Sequence, residues 1–257
     1  MNRKLFNFGW EFCKKPLGTS LAAVLKDNDF YPVELPHDWL IFNSHDLYET
    51  TEGWYRKRFF CSVKPSSACQ GAVSAKSPEI SLTQGQCALL NFEGIYMNST
   101  VYLNGEEIFS WKYGYSGFTF DIAPYIKPGE NEIAVRVVHQ SPNSRWYSGA
   151  GIYRNVWLFI KDSAHFYTDG IYTAIRKNDD HWTVEIDAAA VLPDELRFAA
   201  LLVRHQITGA DGTLLSGAMD DIFSPVDAFC PYENKNIRVF TNSQKLMVRN
   251  PDLWDVT

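Results

Sequence analysis

Long apolar runs are missing from this sequence of 257 residues, and nothing in it approaches the roughly 18 consecutive apolar positions of a membrane span. An excess of basic charge is missing too. The 24 lysines and arginines are outnumbered by 30 aspartates and glutamates, for a net charge of -6. Nucleic acid or an anionic membrane would need a basic face, so neither is expected as the main partner. Met1 to Trp10 carries Arg3 and Lys4 but breaks at Asn7 and Gly9 before any apolar core of a secretory signal, so the expected location is the cytoplasm. The five cysteines (Cys13, Cys61, Cys69, Cys87 and Cys230) are odd in number, widely spaced and without a C-x-x-C pair. That argues against a disulfide framework or a zinc cluster, and the thiols read as reduced and buried or incidental. Six histidines form no H-E-x-x-H or H-x-H pattern. No metal site and no cofactor is expected.

Helical periodicity is scarce as well. Thr19 to Lys26 has room for two turns with Thr19 or Ser20 as N-cap, and nothing longer qualifies. Strand patterns fill the rest. Trp54 to Phe60 is rich in aromatics, and Val101 and Leu103 lead through Asn104-Gly105 to Ile108 as a hairpin with a type I′ turn. Phe118, Phe120 and Ile122 alternate with polar Thr119 and Asp121; Ile133, Val135 and Val137 form one face of the next strand after the Pro128-Gly129 turn, and Val156 to Ile160 closes the set. Between Cys61 and Ala88 the composition turns to Ser, Ala, Gln and Gly, which predicts a long surface excursion. These patterns predict an all-β chain that opens with a β-sandwich.

Lys161 to Ala164 reads as a seam between domains. Beyond it, Ile171 to Ile175, Trp182 to Ile186, Phe198 to Ile207, Ile237 to Phe240 and Lys245 to Val248 are predicted strands, with a turn at Asp211-Gly212. Short strands with turn signals fit an immunoglobulin-like sandwich of about 100 residues. The division is therefore 1–162 and 163–257, the second domain being complete or short of its last strand.

One segment combines residue types that suit a sugar. In RWYSGAGIYR, Arg145 to Arg154, Trp146 and Tyr147 offer flat apolar faces and Arg145 a planar fork of donors. Sugars present C–H faces to aromatics and hydroxyls to hydrogen-bonding groups. The small residues Ser148 to Gly151 permit a tight loop and close backbone approach. The plainer alternative is that Trp146 and Tyr147 cap the sandwich and Arg154 pairs with a carboxylate.

Five stretches in order, FNFGW (Phe6 to Trp10), LPHDW (Leu35 to Trp39), GWYRKRFF (Gly53 to Phe60), FEGIYMNSTVYLNGE (Phe92 to Glu106) and RWYSGAGIYRNVWL (Arg145 to Leu158), carry a further signal. Together they resemble the amino-terminal region of glycoside hydrolase family 2, the β-galactosidase-like group. NPDLW, Asn250 to Trp254, resembles the stretch near the end of that family's second domain. The resemblance implies a jelly-roll sugar-binding domain, an immunoglobulin-like domain and then a catalytic (β/α)8 barrel. It places Arg145, Trp146 and Tyr147 at the rim of the barrel's sugar pocket, with Ser44 to Glu52 a weaker rim candidate. Many relatives of this group are acidic where this chain has Arg145, which leaves the preferred sugar open.

A (β/α)8 barrel takes about 250 residues, and two sandwiches already fill this chain. No residue here inherits the acid/base or nucleophile role, so no catalytic residue is assigned and the isolated chain is expected to be inactive. Asp38, Glu49, Glu52, Glu93 and Asp121 are the acids available in the first domain. The implied partners are a β-galactoside-like carbohydrate, the catalytic barrel of the same polypeptide and, since family 2 enzymes often assemble through such domains, a second copy of the chain. LPHDW reads as mainly structural, with Pro36 fixing the entry, Asp38 capping a turn and Trp39 packing.

Overall fold

The computed structural model describes residues 2–42, 45–64, 79–144, 146–192, 202–220, 224–230, 235–249 and 251. The chain is all-β and divides into two compact units, Met1–Asp162 and Ser163–Thr257. Among the described residues, no helix is long and apolar enough to cross a membrane.

The first unit is a sandwich of two sheets. In chain order its elements are β1 (Asn2–Leu5), β2 (Trp10–Lys15), α1 (Leu21–Leu25), β3 (Tyr31–Val33), β4 (Thr51–Lys64), β5 (Ile80–Thr83), β6 (Cys87–Phe92), β7 (Ser99–Leu103), β8 (Glu106–Trp111), β9 (Phe118–Asp121), β10 (Gly129–His139) and β11 (Val156–Lys161). One sheet runs β1-β11-β6-β9; the other runs β3-β2-β4-β10-β7-β8, with β5 beside β4. Between them lies a core of Trp10, Phe12, Tyr55, Phe59, Phe92, Phe118, Ile133, Val135 and Leu158. Phe92, Phe109, Phe118 and Phe120 stack with centroids 4.6 to 6.2 Å apart. Fully burying each such side chain contributes about 1.5–3 kcal/mol.

β4 lacks the alternation of a half-exposed strand because both of its faces are covered. Tyr55 and Phe59 point into the sandwich, while Trp54 packs with Cys13 and Val24 of α1 on the other side. Ser20 caps α1 by accepting from the Ala23 amide, one of the two caps that the sequence offers. Arg56 lies 3.9 Å over the Phe30 ring and pairs with Glu11. Glu52, with no exposed surface, accepts from both Arg136 Nε and Nη2, from Trp54 Nε1 and from the Gly18 and Thr19 amides.

The Asn104-Gly105 hairpin forms between β7 and β8, both residues at positive φ. The surface excursion expected between Cys61 and Ala88 needs correction at its end. Residues 65–78 lie outside the described residues, but Ile80–Thr83 is a strand that pairs parallel with the end of β4, and Ile80 is buried. Cys13 and Cys61 are buried, which pushes both thiols up to about 11.

The second unit holds β12 (His165–Lys177), β13 (Trp182–Val191), β14 (Val203–Thr208), β15 (Leu214–Asp220), β16 (Ser224–Cys230) and β17 (Lys235–Val248). Its sheets run β12-β13-β17-β16 and β14-β15. Ile186, Ala188, Leu246 and Val248 are buried on one sheet and Val203 on the other. The two strands expected at Ile237 to Phe240 and Lys245 to Val248 are one continuous strand, β17. The polar residues between them do not end it, because Asn242 is buried and its Oδ1 lies 2.9 Å from His205 Nε2. Residues 193–201 fall outside the described residues, so the strand expected from Phe198 is described only from Val203. Apart from Pro251, so does NPDLW.

Candidate functional site

Two segments more than 100 residues apart in sequence run backbone to backbone in the first unit. The His37 amide donates to the Ile152 carbonyl at 2.8 Å and the Trp39 amide to the Ala150 carbonyl at 3.0 Å. On its other side, Gly151 exchanges both main-chain bonds with Tyr96, each 3.0 Å. Gly151 is therefore the middle of three extended segments. Its φ is +131°, and a Cβ there would sit 2.4 Å from the His37 carbonyl oxygen and 2.4 Å from the Tyr55 hydroxyl. Only glycine fits.

The LPHDW segment uses this frame to carry two titratable side chains. His37 is largely buried, with Nδ1 2.8 Å from the Tyr55 hydroxyl. Burial lowers its pKa, against an opposing pull from Asp38. The Asp38 carboxylate accepts the Leu40 and Ala150 amides through Oδ1, each at 3.0 Å, and the Tyr147 hydroxyl through Oδ2 at 2.5 Å. Burial and then the neighbouring Asp38 hold the Tyr147 phenol well above its ordinary pKa, so Tyr147 remains the donor of this bond at neutral pH. Trp39 packs at 3% exposure, stacked on Phe12 at 5.4 Å.

Trp146 is on the surface, 61% exposed. Its Nε1 donates to the Tyr115 hydroxyl at 3.1 Å, and Ser144 Oγ donates to its carbonyl at 2.6 Å. Beneath this loop, His139 is fully buried, with Nδ1 2.7 Å from the Glu49 carbonyl and Nε2 3.1 Å from Asn143 Nδ2. Arg145 falls outside the described residues, as does Ser44 at the start of the weaker rim candidate. Asp38 also lines a cleft of about 580 Å³, together with Lys14, Tyr31, Glu34, His37 and Phe42.

The four other acids considered from the sequence each have a separate structural partner. Glu49 pairs with Lys14 and Glu52 with Arg136; Glu93 accepts from Trp157 Nε1, and Asp121 from the Ala88 and Ala123 amides. Among the described residues, no group of three or more His, Cys, Asp or Glu side chains could hold a metal ion.

Residues 48–162 match the family model described as the sugar binding domain of glycosyl hydrolases family 2. The chain is 34% identical, over 99% of its length, to a β-galactosidase of Bacteroides ovatus, BoGH2A, and covers 28% of that protein. Over 99% of its length it also superimposes on a family 2 glycosyl hydrolase of Bacteroides cellulosilyticus, with a TM-score of 0.71, 26% identity and 32% of that chain covered. The chain belongs to glycoside hydrolase family 2. A β-galactosidase of Thermoanaerobacter pseudethanolicus is a further relative, 27% identical over 84% of this chain and matched over 28% of its own length. The chain thus spans about a third or less of the family 2 proteins it matches.

Within this family 2 chain, Trp146 and Tyr147 are adjacent in sequence and anchored on different partners, Tyr115 and Asp38. Sequence reasoning treated Asp38 as a turn residue. It does cap Leu40, but the structure adds the contacts to Tyr147 and Ala150, which lie 109 and 112 residues further along the chain. Tyr115 was missed altogether; the only local signal was the pair of tyrosines around Gly114 in a polar turn.

Proposed function

We propose that these residues are the non-catalytic amino-terminal portion of a family 2 glycoside hydrolase acting on β-galactosides. Residues 1–162 serve as its sugar-binding jelly roll and 163–257 as an immunoglobulin-like companion. Trp146 and Tyr147, with Arg145 beside them in sequence, form a rim of the sugar site. The observation that carries this reading is the exposed indole of Trp146, fixed by a hydrogen bond, next to the Tyr147–Asp38 pair. An apolar ring face beside hydroxyl and carboxylate groups matches both surfaces of a pyranose.

Cleavage itself is assigned to carboxylates beyond this chain. Retaining hydrolysis places two carboxyl groups about 5–5.5 Å apart across the scissile bond. Here Asp38 already accepts three hydrogen bonds, and Glu49, Glu52, Glu93 and Asp121 serve other contacts. The purified chain is accordingly expected not to hydrolyse a chromogenic β-galactoside; turnover that co-elutes with the protein would overturn the reading. A second assay uses a chimera in which this chain replaces the matched 28% of the Bacteroides ovatus β-galactosidase. In it, Trp146→Ala is expected to raise KM about fivefold to tenfold with a smaller change in kcat, as loss of one ground-state stacking contact requires. An unchanged KM removes Trp146 from the rim.

A further inference from the structure

We propose that Tyr113, Tyr115 and Trp146 form one stacking strip that receives at least two linked pyranoses, so that the carbohydrate is an oligosaccharide rather than a single sugar with a small aglycone. The proposal builds on the rim reading of Trp146 and extends it along the surface.

Tyr113 is 61% exposed and Tyr115 46%, on the loop that joins β8 to β9. Their ring centroids lie 5.9 Å apart with the rings edge to face, and Trp146 Nε1 donates to the Tyr115 hydroxyl, so the three side chains form one contiguous aromatic patch. A single pyranose cannot cover three rings.

The strip is built before any ligand arrives. Buried Tyr96 packs 5.1 Å from the Tyr115 ring, and Gly114 lies so close over Tyr96 that a Cβ would fall 2.2 Å from its ring. The Gly114 carbonyl accepts the Tyr153 hydroxyl at 2.8 Å, and Ser116 Oγ accepts Trp111 Nε1 at 3.2 Å. A loop pinned on both sides of its two tyrosines loses little further freedom when a ligand stacks on it.

The family match favours a sugar as the occupant. Tyr113, Tyr115, Trp146 and Tyr147 all carry a polar tip on an apolar ring, which suits the C–H faces and hydroxyls of a saccharide. All four fall within the stretch matching the family's sugar-binding model. The rings of Tyr113 and Tyr115 meet at 68°, so successive sugar rings that stack on both must turn with respect to each other. A chain with an axial linkage, such as β-1,4-linked galactose, turns in that way; a flat all-equatorial ribbon does not.

The test is titration of the chain, followed by amide and indole NMR shifts, with galactose and with β-1,4-linked galactobiose, galactotriose and galactotetraose. Affinity is expected to rise at least tenfold from galactose to galactotriose, with shifts at Tyr113, Tyr115 and Trp146. Tyr113→Ala, at an exposed position that leaves the fold intact, should abolish most of that gain while the response to galactose persists. Equal affinity along the series overturns the proposal, as does a gain that survives both Tyr113→Ala and Tyr115→Ala, or an equal gain with cellotriose. If Tyr113→Ala instead lowers the melting temperature of the chimera and leaves its response to chain length unchanged, the strip is a contact for protein, and the proposal fails. None of these outcomes bears on the KM of the Trp146→Ala chimera, so the rim reading stands or falls separately.

Discussion

Glu52→Ala is expected to destabilise the first unit by about 3 kcal/mol and to lower its melting temperature by about 10 °C. The Glu52 carboxylate has no exposed surface and gathers five donors: two from Arg136, the Trp54 indole and the amides of Gly18 and Thr19. Truncation leaves the Arg136 guanidinium, 28% exposed, without its partner and strands the indole and two amides. Those amides lead into α1, whose Val24 covers the outer face of β4 with Cys13 and Trp54, so the helix should loosen with the turn. Glu52→Gln keeps one carbonyl acceptor and is expected to cost about half as much. Urea denaturation followed by tryptophan fluorescence reads both variants. A Glu52→Ala midpoint equal to that of the parent chain, at unchanged slope, would show that the cluster contributes nothing net.

Gly151→Ala is expected to cost about 4 kcal/mol, combining backbone strain at positive φ with steric overlap in a packed interior. The added methyl carbon would meet the His37 carbonyl and the Tyr55 hydroxyl, both 2.4 Å away, and neither is the free end of a flexible chain. Relief requires the 35–39 and 150–152 segments to separate, which breaks the His37–Ile152 and Trp39–Ala150 main-chain bonds. The Asp38–Tyr147 pair spans the same two segments, so the variant should also change the Trp146 indole NMR resonance. Tyr147→Phe gives the comparison: it removes only the hydroxyl donor and should melt within about 3 °C of the parent. A Gly151→Ala chain that melts with the parent and keeps its indole shift would refute the close approach.

The features legible in sequence were those set by neighbours in the chain. Asn104-Gly105 dictates its turn and Ser20 its cap, because the deciding atoms lie within a few residues. Aromatic content, the Asn-Gly turn and alternation together located β4 and β7 to β11, whereas β1, β2, β3 and β6 were not expected. Elsewhere a distant partner had changed the meaning of a polar residue. Asn242 reads as a strand end until His205 is seen to face it, and β5 reads as surface until it is laid against the end of β4. The candidate site divides along the same line. Trp146 and Tyr147 stand out as adjacent aromatics beside small residues, whereas the Asp38–Tyr147 and Tyr115–Trp146 bonds form only when the chain closes over more than 30 residues.

The frame beneath the rim is made of atoms common to every amino acid: an amide of His37 facing a carbonyl of Ile152, an amide of Trp39 facing a carbonyl of Ala150, and Gly151 doubly joined to Tyr96. A scaffold of that kind is indifferent to which side chains project from the adjoining turn. Positions 144–146 are therefore open to randomisation in a display library, and variants with new saccharide preferences can be sought there while Asn143, Tyr147 and the glycines at 149 and 151 are left alone.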